Sequence, residues 1–367
     1  VSANGKLDRK ALPAPSFEVQ AVRAPASPTE AALCQLVADV LGLAGPPDPD
    51  AAFFNLGGDS LLAVHLLLRV QEHFGFDPGL GVLFEHPTIA TLAASIDADK
   101  AHDSGLEPLI RLRKGDEDKP PLFIVHPAGG LSWGYRTLAR SLAPGRAVYG
   151  LQSPAIDPDT PLPESLDALA ADYARRVAEI CPEGPLHLAG WSVGGIIAHA
   201  MAVQLEQQGR KPGLVAMLDS YPAECWRAEP EPDETAALRA LLAIAGHDPN
   251  AHPELTTRAA ITAFLRAGDS PLGNLPGRAL DGVVRVVLDT NRLVRNHFHD
   301  SFTGMVTHIR AGLDHGDRPD LVPELWLAHA AALDRIEVPF LHPQLTAPAA
   351  SALIAPELDR RLAAFDH

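Results

Sequence analysis

A serine between two glycines is the feature of this 367-residue sequence that most clearly favours chemistry. Ser192 is the centre of a Gly-x-Ser-x-Gly pattern, residues 190–194, which follows a short apolar run and precedes the helical run IIAHAMAVQL. A strand that turns sharply into a helix at this pattern holds the serine in a strained conformation with its hydroxyl clear of the sheet. The flanking glycines leave room for the strand and the helix to pack closely. We therefore predict that Ser192 is a nucleophile.

A serine nucleophile needs a histidine that takes its proton and an acid that orients this histidine. The α/β-hydrolase fold supplies the three groups in the order Ser, Asp, His. Of the sixteen histidines, His342 follows the last predicted strand, LDRIEVP, where that fold places the base. His126 and His329 are the alternatives, and we predict structural roles for both. For the acid, Asp219 and Asp314 end successive predicted strands, and the residues alone do not choose between them.

The order of predicted elements around these residues favours the same fold. From residue 108 onward, strand-like runs alternate with helical runs, which predicts a mostly parallel sheet covered by helices. Residues 222–302 interrupt the alternation with three helical segments and no strand, and we predict that they form a lid over the carboxyl edge of the sheet. The predicted fold of residues 108–367 is therefore an α/β-hydrolase domain with a helical lid insertion.

Residues 27–98 predict a separate small unit of four helices. Ser27-Pro28-Thr29-Glu30 combines a cap, a proline at the first helical position and a glutamate placed for a capping box. Ser60 follows two glycines and an aspartate and opens the second helix. At a helix N-terminus the free backbone N–H groups and the helix dipole favour a phosphodiester, although a serine that merely caps the helix gives the same pattern. Residues 1–26 and 99–107 are predicted linkers.

Composition excludes several other classes of function. A net charge of −16 argues against nucleic acid and anionic membrane as partners, because both attract basic surfaces. No apolar run approaches the ~20 residues that span a bilayer, and the N-terminus lacks a secretory signal pattern, so we predict a cytoplasmic protein. The three cysteines are too few and too scattered for a disulfide framework or a metal cluster, and no metal site is predicted.

Several motifs resemble those of nonribosomal peptide synthetases. GWSVGG, LDSYP and HPAGG with the aromatic residues that follow it are similar to the terminal thioesterase domains of these enzymes, over residues 108–367. In such domains the acid follows the strand after the nucleophile helix, so the resemblance implies Asp219. The fold uses the backbone N–H after the nucleophile, here Val193, in the oxyanion hole. The resemblance implies Ala128 as the second donor.

The helical unit resembles peptidyl carrier proteins over its whole length, through FFNLGGDSLLAV and FEHPTIATLA. This resemblance implies that Ser60 receives 4′-phosphopantetheine. Upstream, NGKLDR at residues 4–9 is similar to the last motif of adenylation domains, whose lysine, here Lys6, contacts the activated carboxylate. The implied partners are upstream condensation and adenylation domains, a phosphopantetheinyl transferase and a peptidyl thioester.

The predicted function is release of a carrier-bound peptide through an acyl-Ser192 intermediate, in the biosynthesis of an antibiotic or siderophore. A free-standing serine esterase or lipase with an unrelated helical domain is one alternative. A degenerate, non-catalytic module that holds a carrier-bound intermediate is the other. We further predict that the lid excludes water, so that cyclisation or ester formation competes with or exceeds hydrolysis. The apolar lid residues predicted to cover the active site are Leu241, Leu242, Ile261, Phe264, Leu265, Val286, Val287 and Leu288.

Overall fold

A computed structural model describes residues 23–74, 82–102, 106–116, 119–268, 270–275 and 277–366. The chain divides into two compact units, residues 1–104 and 105–367. The adenylation-like motif at residues 4–9, with Lys6, lies outside the described residues. Within those ranges, no helix combines the length and the apolar character needed to cross a membrane.

In its described residues, the first unit contains four helices in the predicted order. They are α1 (Pro28–Leu41), α2 (Ser60–Phe74), α3 (Val82–Glu85) and α4 (Ile89–His102). The Ser27 side chain accepts a hydrogen bond from the backbone N–H of Glu30 and caps α1 as predicted. One apolar cluster holds the helices together, and it includes Leu33, Val37, Phe53, Leu66 and Ile96.

Helix α4 is longer than the sequence pattern predicts. The apolar periodicity stops at Ile96, but the helix continues to His102 and enters the predicted linker. Residues 97–102, DADKAH, contain neither glycine nor proline, so nothing in them breaks a helix that is already formed. Apolar periodicity reports the buried part of a helix and does not mark the residue at which the helix ends.

The second unit is built on a seven-stranded sheet in the order β1-β3-β2-β4-β5-β6-β7. Strand β1 pairs antiparallel with β3, and all other pairs are parallel. The strands are β1 (Leu109–Arg113), β2 (Leu122–Val125), β3 (Val148–Leu151), β4 (Leu186–Trp191), β5 (Pro212–Leu218), β6 (Phe302–Ala311) and β7 (Ala330–Val338). The mostly parallel sheet is thus as predicted.

Helices cover both faces of this sheet. Helices α6 (Leu166–Ile180) and α7 (Val193–Gln207) pack in one apolar cluster with strands β2, β4 and β5. Helices α5 (Arg136–Ser141) and α11 (Pro348–Leu362) pack in a second cluster on alternate residues of the same strands. Such alternation is what a parallel sheet buried on both faces requires.

Over its described residues, the lid between β5 and β6 contains three α-helices, α8 (Glu234–Ile244), α9 (Arg258–Ala267) and α10 (Gly277–Asn296). They have an apolar core of their own, which includes Leu241, Ile261, Leu265 and Val283. The insertion is therefore a packed substructure, as the helical segments in the sequence predict.

Four buried histidines contribute to the response of the second unit to acid, together with His297 and His299, whose pKa values are also lowered by burial. Burial lowers the pKa of His126, His187, His199 and His308 from 6.5 to about 4. Between these two values the unfolded chain binds more protons than the folded chain, so the free energy of unfolding falls as the pH falls. Each histidine contributes up to about 3 kcal/mol, which is fully present above pH 6.5 and lost as the pH falls through 4.

We therefore expect urea unfolding to become progressively easier between pH 6.5 and 4. All four tryptophans lie in the second unit, so their fluorescence follows its unfolding. His187 offers a test, since its Nδ1 accepts the Leu214 backbone N–H at 3.0 Å and an asparagine oxygen can replace that acceptor. His187→Asn should reduce the slope of the free energy of unfolding against pH by the contribution of about one bound proton. An unchanged slope would contradict this origin of the acid sensitivity.

Candidate active site

The carboxyl ends of the parallel strands meet at one edge of the sheet and bring the predicted site residues together. Ser192 follows β4 directly and precedes α7; its φ of 57° lies in the left-handed region. Its backbone N–H donates to Leu218 O at 3.0 Å, which ties the turn to the neighbouring strand. A Cβ on Gly190 would lie 2.1 Å from the carbonyl carbon of Gly194, so only glycine fits between the strand and the helix there. The strained turn predicted for Ser192 is present.

Asp219 directly follows β5 and is buried, with a φ of 46°. Its Oδ2 lies 2.7 Å from Nδ1 of His342, which belongs to the turn after β7. Burial raises the pKa of Asp219, but hydrogen bonds from His315 and His342 and the charges on these two histidines outweigh burial and hold it well below its usual range. An ionised carboxylate only accepts hydrogen bonds, so Nδ1 of His342 carries a proton and Nε2 is its basic nitrogen.

Asp314, the other candidate acid, has a different role at this edge. Its Oδ2 accepts the backbone N–H of His342 at 2.8 Å, and its Oδ1 accepts the backbone N–H of His315 at 2.9 Å. The carboxylate thus holds two segments of backbone in place. The contact with the His342 ring belongs to Asp219, which supports the choice that the resemblance implied.

The two alternative bases lie elsewhere in the domain. His126 is fully buried and bonds Pro127 O at 2.7 Å and Tyr173 Oη at 2.8 Å. His329 pairs with Glu224 at 2.6 Å. Neither histidine lines the cavity that contains Ser192.

That cavity has a volume of about 620 Å³ and lies between the sheet edge and the lid. Ser192, Asp219, His342, Ala128 and Val193 all line it. Among the described residues, no hydrogen bond joins Ser192 Oγ to His342, and catalytic contacts of this kind commonly tighten only when substrate is bound. The lid contributes Val287, Thr290, Asn291 and Val294 to the wall.

The predicted oxyanion donors are placed where such a role requires them. Ala128 follows β2, and Val193 is the first residue of α7. Within the described part of the chain, neither backbone N–H donates a hydrogen bond to another protein group. Both face a cavity in which a developing negative charge would be stabilised by otherwise unpaired donors.

Three neighbours of the triad escaped sequence reasoning. The Trp191 ring packs on the His342 ring with 5.2 Å between centroids. Tyr221 donates its hydroxyl to Asp219 Oδ1 at 3.0 Å, and His315 Nε2 bonds the same carboxylate. Each lies within two residues of a predicted site residue: Trp191 precedes Ser192, Tyr221 follows Asp219 by two positions, and His315 follows Asp314. This closeness in sequence is the signal by which they could have been found.

In the first unit, Ser60 is the first residue of α2, and the helix is capped by Asp59. The Asp59 carboxylate accepts the backbone N–H of Leu62 at 2.9 Å, and Asp59 O accepts that of Ala63 at 2.8 Å. The N-cap position of α2 therefore belongs to Asp59. The N-terminus of this 15-residue helix, where backbone N–H groups have no intrahelical partner, suits a phosphodiester attached to that residue.

A family profile for thioesterase domains matches residues 120–317, more than half of the chain. The chain belongs to the thioesterase domain family. A second profile, for the phosphopantetheine attachment site, matches residues 31–96 of the same thioesterase chain. The predicted alternative of an esterase with an unrelated helical domain is therefore wrong.

The curated relatives of this thioesterase include a nonribosomal peptide synthase. A dimodular nonribosomal peptide synthase of Bacillus subtilis is 38% identical over 366 residues, which is 99% of this chain and 15% of the relative. Enterobactin synthase component F of Escherichia coli K12 is 37% identical over 227 residues, 61% of this chain and 17% of the relative. The chain thus spans less than a fifth of the length of either protein.

Solved structures agree with the family. A four-domain nonribosomal peptide synthetase bound to AMP and glycine matches with a TM-score of 0.60 and 26% identity, over 98% of this chain and 28% of that one. The Vlm2 thioesterase domain has a TM-score of 0.56 and 23% identity, over 69% of this chain and 96% of the domain, which supports the fold alone. The predicted pair, a phosphopantetheine carrier domain followed by a type I thioesterase with the α/β-hydrolase fold, is confirmed.

Proposed function

We propose that Ser60 bears the phosphopantetheine arm and that Ser192, His342 and Asp219 release the peptide held on it. The observation that carries this proposal is the 2.7 Å contact between Asp219 and His342 in a cavity that Ser192 lines. When attached, the arm supplies a thiol that holds the peptide as a thioester. The proposed partners are upstream condensation and adenylation domains and a phosphopantetheinyl transferase.

The chain's own residues account for each proton in the acylation step. Nε2 of His342 takes the Ser192 proton while Oγ attacks the thioester carbonyl. The backbone N–H groups of Val193 and Ala128 stabilise the oxyanion, and such a donor is worth about 3 kcal/mol. The same Nε2–H then protonates the departing sulfur, and an acyl-serine remains. His342 acts as base again when a nucleophile attacks that ester.

Replacing Ser60 tests the carrier half of the proposal. With a phosphopantetheinyl transferase and coenzyme A, the wild-type chain should gain one arm in mass, and Ser60→Ala should gain none. Hydrolysis of a small soluble thioester should stay nearly unchanged, because the carrier presents the substrate but contributes no catalytic group. A mass gain on Ser60→Ala would remove Ser60 from this role.

The proposal also specifies how the acyl-serine is resolved, namely by a nucleophile within the bound peptide. The eight apolar lid residues predicted to cover the site mostly pack in the lid's own core, and among them Val287 lines the cavity. Their main role is therefore to hold the lid together. What supports ring formation is the wall that α10 forms on one side of the cavity, together with the high effective concentration of a nucleophile on the bound peptide.

The chemical identity of the released product tests release by an internal nucleophile. A peptidyl thioester with the native chain should yield a cyclic product or an internal ester in amounts comparable to or above the linear acid. Mass spectrometry distinguishes the two, since the ring lacks the mass of one water. Linear acid as the sole product, from a chain with its lid intact, would contradict release by an internal nucleophile.

A further inference from the structure

Asp219 lies between two imidazoles, and the proposed triad uses one of them. His315, in the turn after β6, places Nε2 at 2.8 Å from Oδ2 and 3.0 Å from Oδ1 of Asp219. His342 Nδ1 reaches the same Oδ2 from the turn after β7. Because the ionised carboxylate only accepts, the Nε2–H of His315 donates to both of its oxygens.

Several contacts hold His315 in this position. Its φ of 67° lies in the left-handed region, an uncommon conformation for a residue with a side chain. The Asp314 carboxylate accepts its backbone N–H, and the Tyr221 ring meets its ring edge-on with 5.1 Å between centroids. The side chain is 10% exposed. Such a conformation persists only where its surroundings determine it, so the contact with Asp219 is built into the fold.

The charges around His315 favour its protonated form. Burial lowers the pKa of His315, but the hydrogen bond and charge of Asp219 and the charge of Asp314 outweigh burial, and the net shift is upward. Arg310 on β6 opposes this shift. His308, a second neighbour on that strand, is buried with its pKa lowered to about 4, so it adds no charge at neutral pH.

We propose that His315 is a positioning residue that fixes the Asp219 carboxylate. As a cation, His315 also offsets the effect of the Asp219 charge on His342. The inference rests on the proposed function. An aspartate beside a histidine favours the imidazolium, and a second cation on the same carboxylate opposes that effect. His315 thereby weakens the stabilisation that Asp219 gives to a protonated His342 ring. Tyr221 completes the arrangement as a neutral donor to Oδ1.

The pH profile of kcat/KM tests this role on the full chain with a soluble acyl thioester. His315→Gln keeps a donor without the charge, and His315→Asn suits the left-handed backbone. Either variant should move the acidic midpoint of the profile upward by about one pH unit, with the plateau within about tenfold of wild type. Tyr221→Phe is the matched control, because it removes a neutral donor from the same carboxylate; its midpoint should move by less than about half as much.

Two outcomes of this experiment would overturn the inference. A loss of activity of at most about a hundredfold at every pH, with an unchanged midpoint, would mean that His315 only supports the fold. A loss on the order of 10⁴ at every pH would mean that His315 is itself the base.

A titration without turnover separates this inference from the proposed function. In the full chain carrying Ser192→Ala, NMR of the imidazole nitrogens should show His315 titrating above the ordinary histidine value of 6.5. Adding Asp219→Asn should lower that midpoint. A midpoint below 6.5 with Asp219 intact would overturn the inference. A wild-type chain without thioesterase activity at any pH would instead refute the proposed function.

Discussion

Ser192→Ala should lower turnover of a soluble acyl thioester by a factor on the order of 10⁶, the scale of loss when a serine hydrolase loses its nucleophile. Alanine keeps the small volume that the strained turn accepts, so the fold should be unaffected. The residual rate should come from the oxyanion donors and from substrate binding. Turnover is measured by release of free thiol.

Ser220→Ala is a matched control for this substitution. Ser220 is buried, lines the same cavity, and its hydroxyl has no hydrogen-bond partner among the described residues. Its loss should change turnover by less than about threefold, since no partner is left unsatisfied. Comparable losses in both variants would mean that damage to the cavity, and not a missing nucleophile, explains the Ser192→Ala result.

Asp219→Asn should cost on the order of 10⁴ in turnover. The asparagine amide can present N–H to Nδ1 of His342, which favours the tautomer with its proton on Nε2. That tautomer cannot take the Ser192 proton. The charge that stabilises the imidazolium is also lost. Both effects act on kcat more than on substrate binding.

Asp314→Asn provides the comparison for Asp219→Asn. Its carboxylate accepts two backbone N–H groups, and an amide oxygen can still accept one of them. The His342 turn should loosen slightly, with a loss of less than about tenfold. If Asp314→Asn costs more than Asp219→Asn, the acid lies one strand later and the assignment of Asp219 is wrong.

The sequence was most informative where the signal is local. The Gly-x-Ser-x-Gly pattern places Ser192 on a strand-to-helix turn without knowledge of any other element, and the structure has that turn. Alternating strand and helix patterns likewise predict a parallel sheet and its helical insertion, because each pattern reports burial within a few residues. The order of the strands then places His342 at the sheet edge.

The choice of acid could not be made locally. Asp219 and Asp314 each follow a strand, and β5 and β6 are neighbours in the sheet, so both carboxylates reach the same edge. What separates them is the direction each side chain takes from its turn, and one-dimensional patterns carry no such information. The resemblance to thioesterases supplied the choice, and the contact with His342 supports it.

The second histidine on Asp219 illustrates the same limit. His315 and Asp219 are 96 residues apart and meet because two parallel strands end side by side. Similarly, sequence could not separate Asp59 from Ser60 as the cap of α2, since both are short polar residues that favour this position. The structure assigns the cap to Asp59.

The central claim is that a peptide held on Ser60 passes to Ser192 before release. It is tested most directly by loading the wild-type chain with a peptidyl phosphopantetheine arm, quenching at successive times and measuring the masses of the peptides that contain each serine. We predict that the acyl group leaves the Ser60 peptide, is found transiently on the Ser192 peptide and then appears as free product, whereas in Ser192→Ala it stays on the arm. Free product formed as fast in Ser192→Ala as in the wild type would contradict the account.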